Sequence, residues 1–128
     1  MHDSTLRYVR MAIVAGFALT LASENADAGG FKIIYSFQGG NDGANPYAGL
    51  VHDTQGNLYG TTTIGGFYGL GTVFKLDAAG NLTLLYSFTG GADGGIPHGN
   101  LILDAAGNLY GTALISGLDH GVVFKITP

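Results

Sequence analysis

Cysteine and tryptophan are absent from the 128 residues, proline occurs three times, and charged side chains make up only 11% of the chain. Without cysteine there is no disulfide, no thiolate zinc site and no cysteine nucleophile. So little charge excludes a coiled coil or a disordered tail. Five Lys plus Arg against nine Asp plus Glu give no basic stripe to neutralise phosphates, so nucleic acid is not an expected partner. What the chain does have is 46% hydrophobic residues and 23 glycines. Each glycine inside a helix costs about 1 kcal/mol, and the lack of a strict triplet excludes collagen. The composition therefore predicts an all-β chain rich in turns.

The first residues read as an export signal. Arg7 and Arg10 precede the apolar run 11–22, and Ala26-Asp27-Ala28 supplies a small-x-small cleavage pattern before Gly29. That run is too short to span a bilayer, which takes roughly 20 apolar residues. Residues 1–28 are thus expected to be a cleavable signal peptide and 29–128 the mature domain, with no membrane span. Its destination would be secreted, periplasmic or at the cell surface.

An internal repeat dominates the rest. Tyr35-Ser36-Phe37 returns as Tyr86-Ser87-Phe88, and Asp42, Pro46, Leu50 and Asp53 return as Asp93, Pro97, Leu101 and Asp104, all 51 positions on. The hexapeptide 56–61 (GNLYGT) recurs unchanged at 107–112, and Phe74-Lys75 recurs 50 positions on as Phe124-Lys125. Two repeats of about fifty residues result, near 38–88 and 89–128, together with an extra segment at 31–37.

Within each copy the segments 48–52, 57–63, 72–77 and 82–88, then 99–103, 108–114 and 121–126, are short, β-branched or aromatic, and bounded by glycine. These are strand patterns. Asp-x-x-Gly-Asn stands at Asp53–Asn57, Asp77–Asn81 and Asp104–Asn108. Aspartate opening a type I turn, with glycine at the left-handed position after it, makes a tight hairpin. Four strands per fifty residues predict β-propeller-like blades. The second copy lacks its fourth strand, whereas 31–37 resembles 82–88, so the N-terminal strand is expected to complete the last blade. Two blades do not close a ring of the usual four to eight, which makes a homo-oligomeric ring the expectation.

The run 35–74, YSFQGGNDGANPYAGLVHDTQGNLYGTTTIGGFYGLGTVFK, resembles the bacterial GloVer tandem repeat. The resemblance covers essentially all of 31–128. It implies a secreted or surface-displayed, propeller-like repeat protein of a family with no established enzymatic activity.

The longer glycine-rich loops would share one face of such blades, and binding residues concentrate on long loops held by a rigid scaffold. They carry Asp42, Asn45, Tyr47, Phe67, Tyr68, Asp93, His98, Asp119 and His120, the candidate ligand-binding set. Aromatic rings beside carboxylates and amides suit sugars, whose ring faces stack while their hydroxyls hydrogen-bond. No G-x-S-x-G elbow is present. His52, His98 and His120 do not recur in register, and Asp42 and Asp93 lack the alternating oxygen ligands of a calcium loop. No metal, cofactor or catalytic residue is expected. The function expected is a non-enzymatic exported module for self-assembly or extracellular interaction. A lectin-like glycan binder is one alternative, and a hydrolase or lyase using Asp42, Asp93 and Asp119 is the other.

Overall fold

In the computed structural model, residues 28–115 and 120–128 are described. The expected signal peptide, apart from Ala28, and the candidate residue Asp119 lie outside them. The chain divides into two compact units, Met1–Ile34 and Tyr35–Pro128. Of the first, the described part holds a 3-10 turn at Ala28–Gly30, and residues 31–34 join no ladder. No helix among the described residues is long and apolar enough to cross a membrane.

The second unit is all-β. One antiparallel sheet runs β1 (Val51–His52), β2 (Leu58–Thr62), β3 (Thr72–Leu76) and β4 (Leu82–Ser87) in chain order. The other runs β5 (Ile102–Leu103), β6 (Leu109–Ala113) and β7 (Val122–Ile126). β1 and β2, β3 and β4, and β5 and β6 are joined by tight turns, whereas longer loops join β2 to β3 and β6 to β7. Asp53 Oδ1 accepts from the Gln55 and Asn57 amides at 2.9 and 3.0 Å, and Oδ2 accepts from Asn57 Nδ2 and the Tyr59 hydroxyl. Asp104 repeats all four bonds with Ala106, Asn108 and Tyr110. Gly56, Gly80 and Gly107 take φ of 86, 89 and 88°, where glycine is free of the Cβ penalty.

The second glycine of GNLYGT has a different task. Gly60 stands opposite Phe74 and Gly111 opposite Phe124. A Cβ on Gly60 would lie 2.7 Å from both Leu50 Cδ2 and Phe74 Cζ, and one on Gly111 would strike Leu101 and Phe124 in the same way. Its absence lets each phenylalanine ring lie across the neighbouring strand.

Two expectations change. The strands expected at 48–52 and 99–103 shrink to two residues each. Gly49 gives its amide to Asn100 Oδ1 at 2.7 Å, a bond between the segments leading into β1 and β5, so it is not engaged with β2. The second sheet has three strands, in keeping with a second copy that lacks its fourth. Residues 31–37, expected as a strand, form none among the described residues. Instead Phe37 packs edge to face on Phe74, centroids 5.1 Å apart, as Phe88 packs on Phe124 at 5.2 Å. Tyr35–Phe37 therefore stands to the first sheet as the end of β4 stands to the second. Around Phe88, the buried Val73, Leu101, Leu109 and Ala113 form the core, which draws on both repeats.

Candidate functional site

The long loops do meet at one end of the sheets. The Ala44 amide donates to the Ile64 carbonyl at 2.9 Å and the Thr63 amide to the Asn45 carbonyl at 3.0 Å, joining the loop before β1 to the loop after β2. The Leu114 amide repeats the second of these bonds to the Ile96 carbonyl at 3.3 Å and also donates to the Gly95 carbonyl at 2.9 Å.

Within that frame the candidate residues separate by task. Asp42 accepts from the Tyr35 hydroxyl and the Gln38 amide, both at 2.8 Å. Asp93 accepts from the Tyr86 hydroxyl and the Thr89 amide, both at 2.8 Å, and from the Thr89 hydroxyl. The Gln38 amide foremost draws the Asp42 carboxyl below its ordinary range. Burial pushes Asp93 upward, but the Thr89 and Tyr86 donors outweigh it and hold the group at about 2. The same bonds raise the Tyr35 and Tyr86 hydroxyls, since losing their proton would set charge beside charge. Both carboxylates thus fasten their own loops. Asn45 has a backbone task as well: at φ 56° it occupies the left-handed region that asparagine tolerates, and its carbonyl also accepts from the Thr63 hydroxyl.

Two other candidates stack on each other. The Tyr47 and His98 rings lie 4.7 Å apart, tilted by 51°. His98 also lines an open cleft of about 400 Å³ together with His120, Leu114, Val122 and Val123. Phe67 and Tyr68 are exposed on the loop between β2 and β3 and do not line this cleft.

A second cleft, of about 320 Å³, lies between the end of β4, through Tyr86 and Phe88, and the strand Val122–Ile126. Both clefts therefore border β7. Its Val123 is 81% exposed, whereas Val73 at the same place in β3 is fully buried. Sequence reasoning noted a missing strand but did not place Val122 or Val123 among the functional residues. The signal was the offset of 50 that makes Val123 the counterpart of Val73.

The family model described as Gloeobacter/Verrucomicrobia repeat matches residues 17–128. The chain belongs to that family. Neither the curated proteins nor the solved structures yield a match. In this Gloeobacter/Verrucomicrobia repeat chain, the repeated residues are those that build turns, fix loops and pack one sheet on the next. At the His98 cleft His98, Ala113, Leu114 and Val122 replace Tyr47, Thr62, Thr63 and Thr72 of the first copy, and Tyr47 lies against its own counterpart His98.

Proposed function

We propose that the chain is an exported, non-enzymatic β-repeat module that acts by assembling with further copies and through its outer surface. The observation that carries this reading is the apolar edge at β7, with Val123 bare where its counterpart is buried. Open edges of this kind invite association. The carboxylates support it too. Asp42, Asp53, Asp77, Asp93 and Asp104 are all lowered by hydrogen bonds, the reverse of what a general acid near neutral pH needs. Propeller-like closure follows if copies associate head to tail, three or four chains giving six or eight sheets in the usual range.

The test is the native mass of the full chain by light scattering after size exclusion. A defined multiple of 13.1 kDa is expected, and a monomer at every concentration would overturn the reading.

One observation favours glycan binding as a second reading. Tyr47, 73% exposed and stacked on His98 beside the His120 cleft, offers a ring face with polar neighbours, as sugars require. A glycan array should then give a signal that Tyr47→Ala abolishes, and a blank array removes this reading.

A further inference from the structure

The first sheet holds a template for what covers β7. There β3 is paired on both sides: Leu76, Lys75, Phe74, Val73 and Thr72 stand opposite Leu82, Thr83, Leu84, Tyr86 and Ser87 of β4, with a register shift that leaves Leu85 as the extra residue of a bulge. The strand β7 repeats β3 fifty positions on, yet among the described residues it pairs only with β6. The sequence that repeats β4 lies 51 positions before it, at Phe31-Lys32-Ile33-Ile34-Tyr35-Ser36, and joins no ladder. An acceptor without a donor and a donor without an acceptor are thus present in one chain, each being one half of a pair already formed in the first sheet.

Exposure agrees with this pairing. Phe31, Ile33 and Ile34 are 64, 53 and 51% exposed, and Val123 is bare. Their counterparts Leu82, Leu84 and Leu85 are half-buried, and Val73 is fully buried. The segment does not serve its own chain in this way, because its Tyr-Ser-Phe end is held at the first sheet by Phe37 on Phe74. By the repeat, the sheet it completes precedes the first.

We propose that β7 takes residues 31–36 of a second copy as its fourth strand. The strand runs antiparallel with Phe31 opposite Ile126, Lys32 opposite Lys125, Ile33 opposite Phe124, Tyr35 opposite Val123 and Ser36 opposite Val122, and Ile34 forms the bulge. This deepens the assembly reading and rests on it. Each copy donates at one end and accepts at the other, so the interface is heterologous and closes into a ring or continues as a fibre. One position departs from the template. Thr83 stands opposite Lys75, but the donated strand sets Lys32 opposite Lys125, and like charges directly opposite destabilise a pair. Assembly therefore strengthens with salt, as the screening length falls from about 10 Å at 0.1 M to about 3 Å at 1 M.

The absence of native cysteine gives a clean test. Full-length K32C and K125C chains are mixed and oxidised in air, and S36C with K125C serves as the off-register control, since three residues along a strand span about 10 Å. The K32C–K125C disulfide is expected to form at least tenfold faster than the control. Equal rates, or a multimer by light scattering that never crosslinks, overturn the strand donation while leaving assembly standing. A chain that is monomeric at every concentration overturns both. A second variant guards against misfolding: V123K, at an exposed position, keeps the far-ultraviolet dichroism of the parent and weakens assembly at least tenfold. K32T, which restores the template pair, tightens assembly several-fold. Multimers that persist in V123K, or a K32T that assembles no better than the parent, contradict the proposed register.

Discussion

The two sheets are built from nearly the same residues and end in different states. Val73 in the first is fully buried and its counterpart Val123 in the second is bare, although the strands around them align residue for residue. The buried Thr62 and Thr72 hydroxyls share a 2.7 Å hydrogen bond, and at the corresponding places stand Ala113 and Val122. Local chemistry is alike wherever the copies share a turn, and burial differs wherever one copy has a neighbour the other lacks. Burial here is a property of what lies alongside a residue.

The sharpest way to break this comparison is at the two phenylalanines that step from one element to the next. Phe88 is 1% exposed and lies in the core, so Phe88→Ala should destabilise by about 3–5 kcal/mol. Phe37 makes the same ring contact but is only half-buried, and Phe37→Ala should cost about 1 kcal/mol, both read from chemical denaturation. Equal losses would mean that the N-terminal step is as well covered as the internal one.

Where the copies share a constraint, they should respond alike. Gly60→Ala and Gly111→Ala each force a methyl group against a leucine and a phenylalanine, and each should destabilise by about 1–3 kcal/mol in the same assay. A tolerant Gly111 would mean that the second sheet is free to spread where the first is not.

The loops before β1 and β5 differ in one strained position. Asn45 and Ile96 are counterparts, with φ of 56 and 52°, and a β-branched residue is ill suited to that region. Ile96→Asn should therefore stabilise by about 1 kcal/mol, and Asn45→Ile should destabilise by about the same amount, both read from thermal unfolding.

The mildest difference is in acid. Asp53, Asp93 and Asp104 are held at about 2, below the ordinary 3.8. Because the folded value is depressed, the stabilisation is complete above the ordinary value and is lost as pH falls through the folded one. Melting temperature should stay level down to about pH 4 and drop between there and about pH 2. Asp53→Asn and Asp104→Asn should weaken that drop equally, since their turns share the same four donors.

Much of the fold was legible because it is written in short-range chemistry. The Asp-x-x-Gly-Asn turns, and the hairpins they close, follow from residues within six positions of one another. The length of β1 was not legible, because Gly49 bonds to a residue 51 positions away. Nor was the task of Tyr35, Tyr59, Tyr86 and Tyr110. Their recurrence suggests packing, but each hydroxyl holds an aspartate. The candidate site was read from position on the long loops and residue type alone. For that reason Asp42 and Asp93 entered it, although each carboxylate already accepts hydrogen bonds from its own neighbourhood, while Val122 and Val123 did not, since a valine in a strand ordinarily faces a core.

The central claim, that β7 is covered by another copy, is tested most directly by hydrogen exchange of the full chain across a concentration series, comparing Val122–Ile126 with Thr72–Leu76. The outward amides of β7 are expected to exchange fast in dilute solution and to gain the protection of β3 as copies associate, alongside new protection at 31–36. Fast exchange in β7 at every concentration, with assembly proceeding elsewhere, would contradict it.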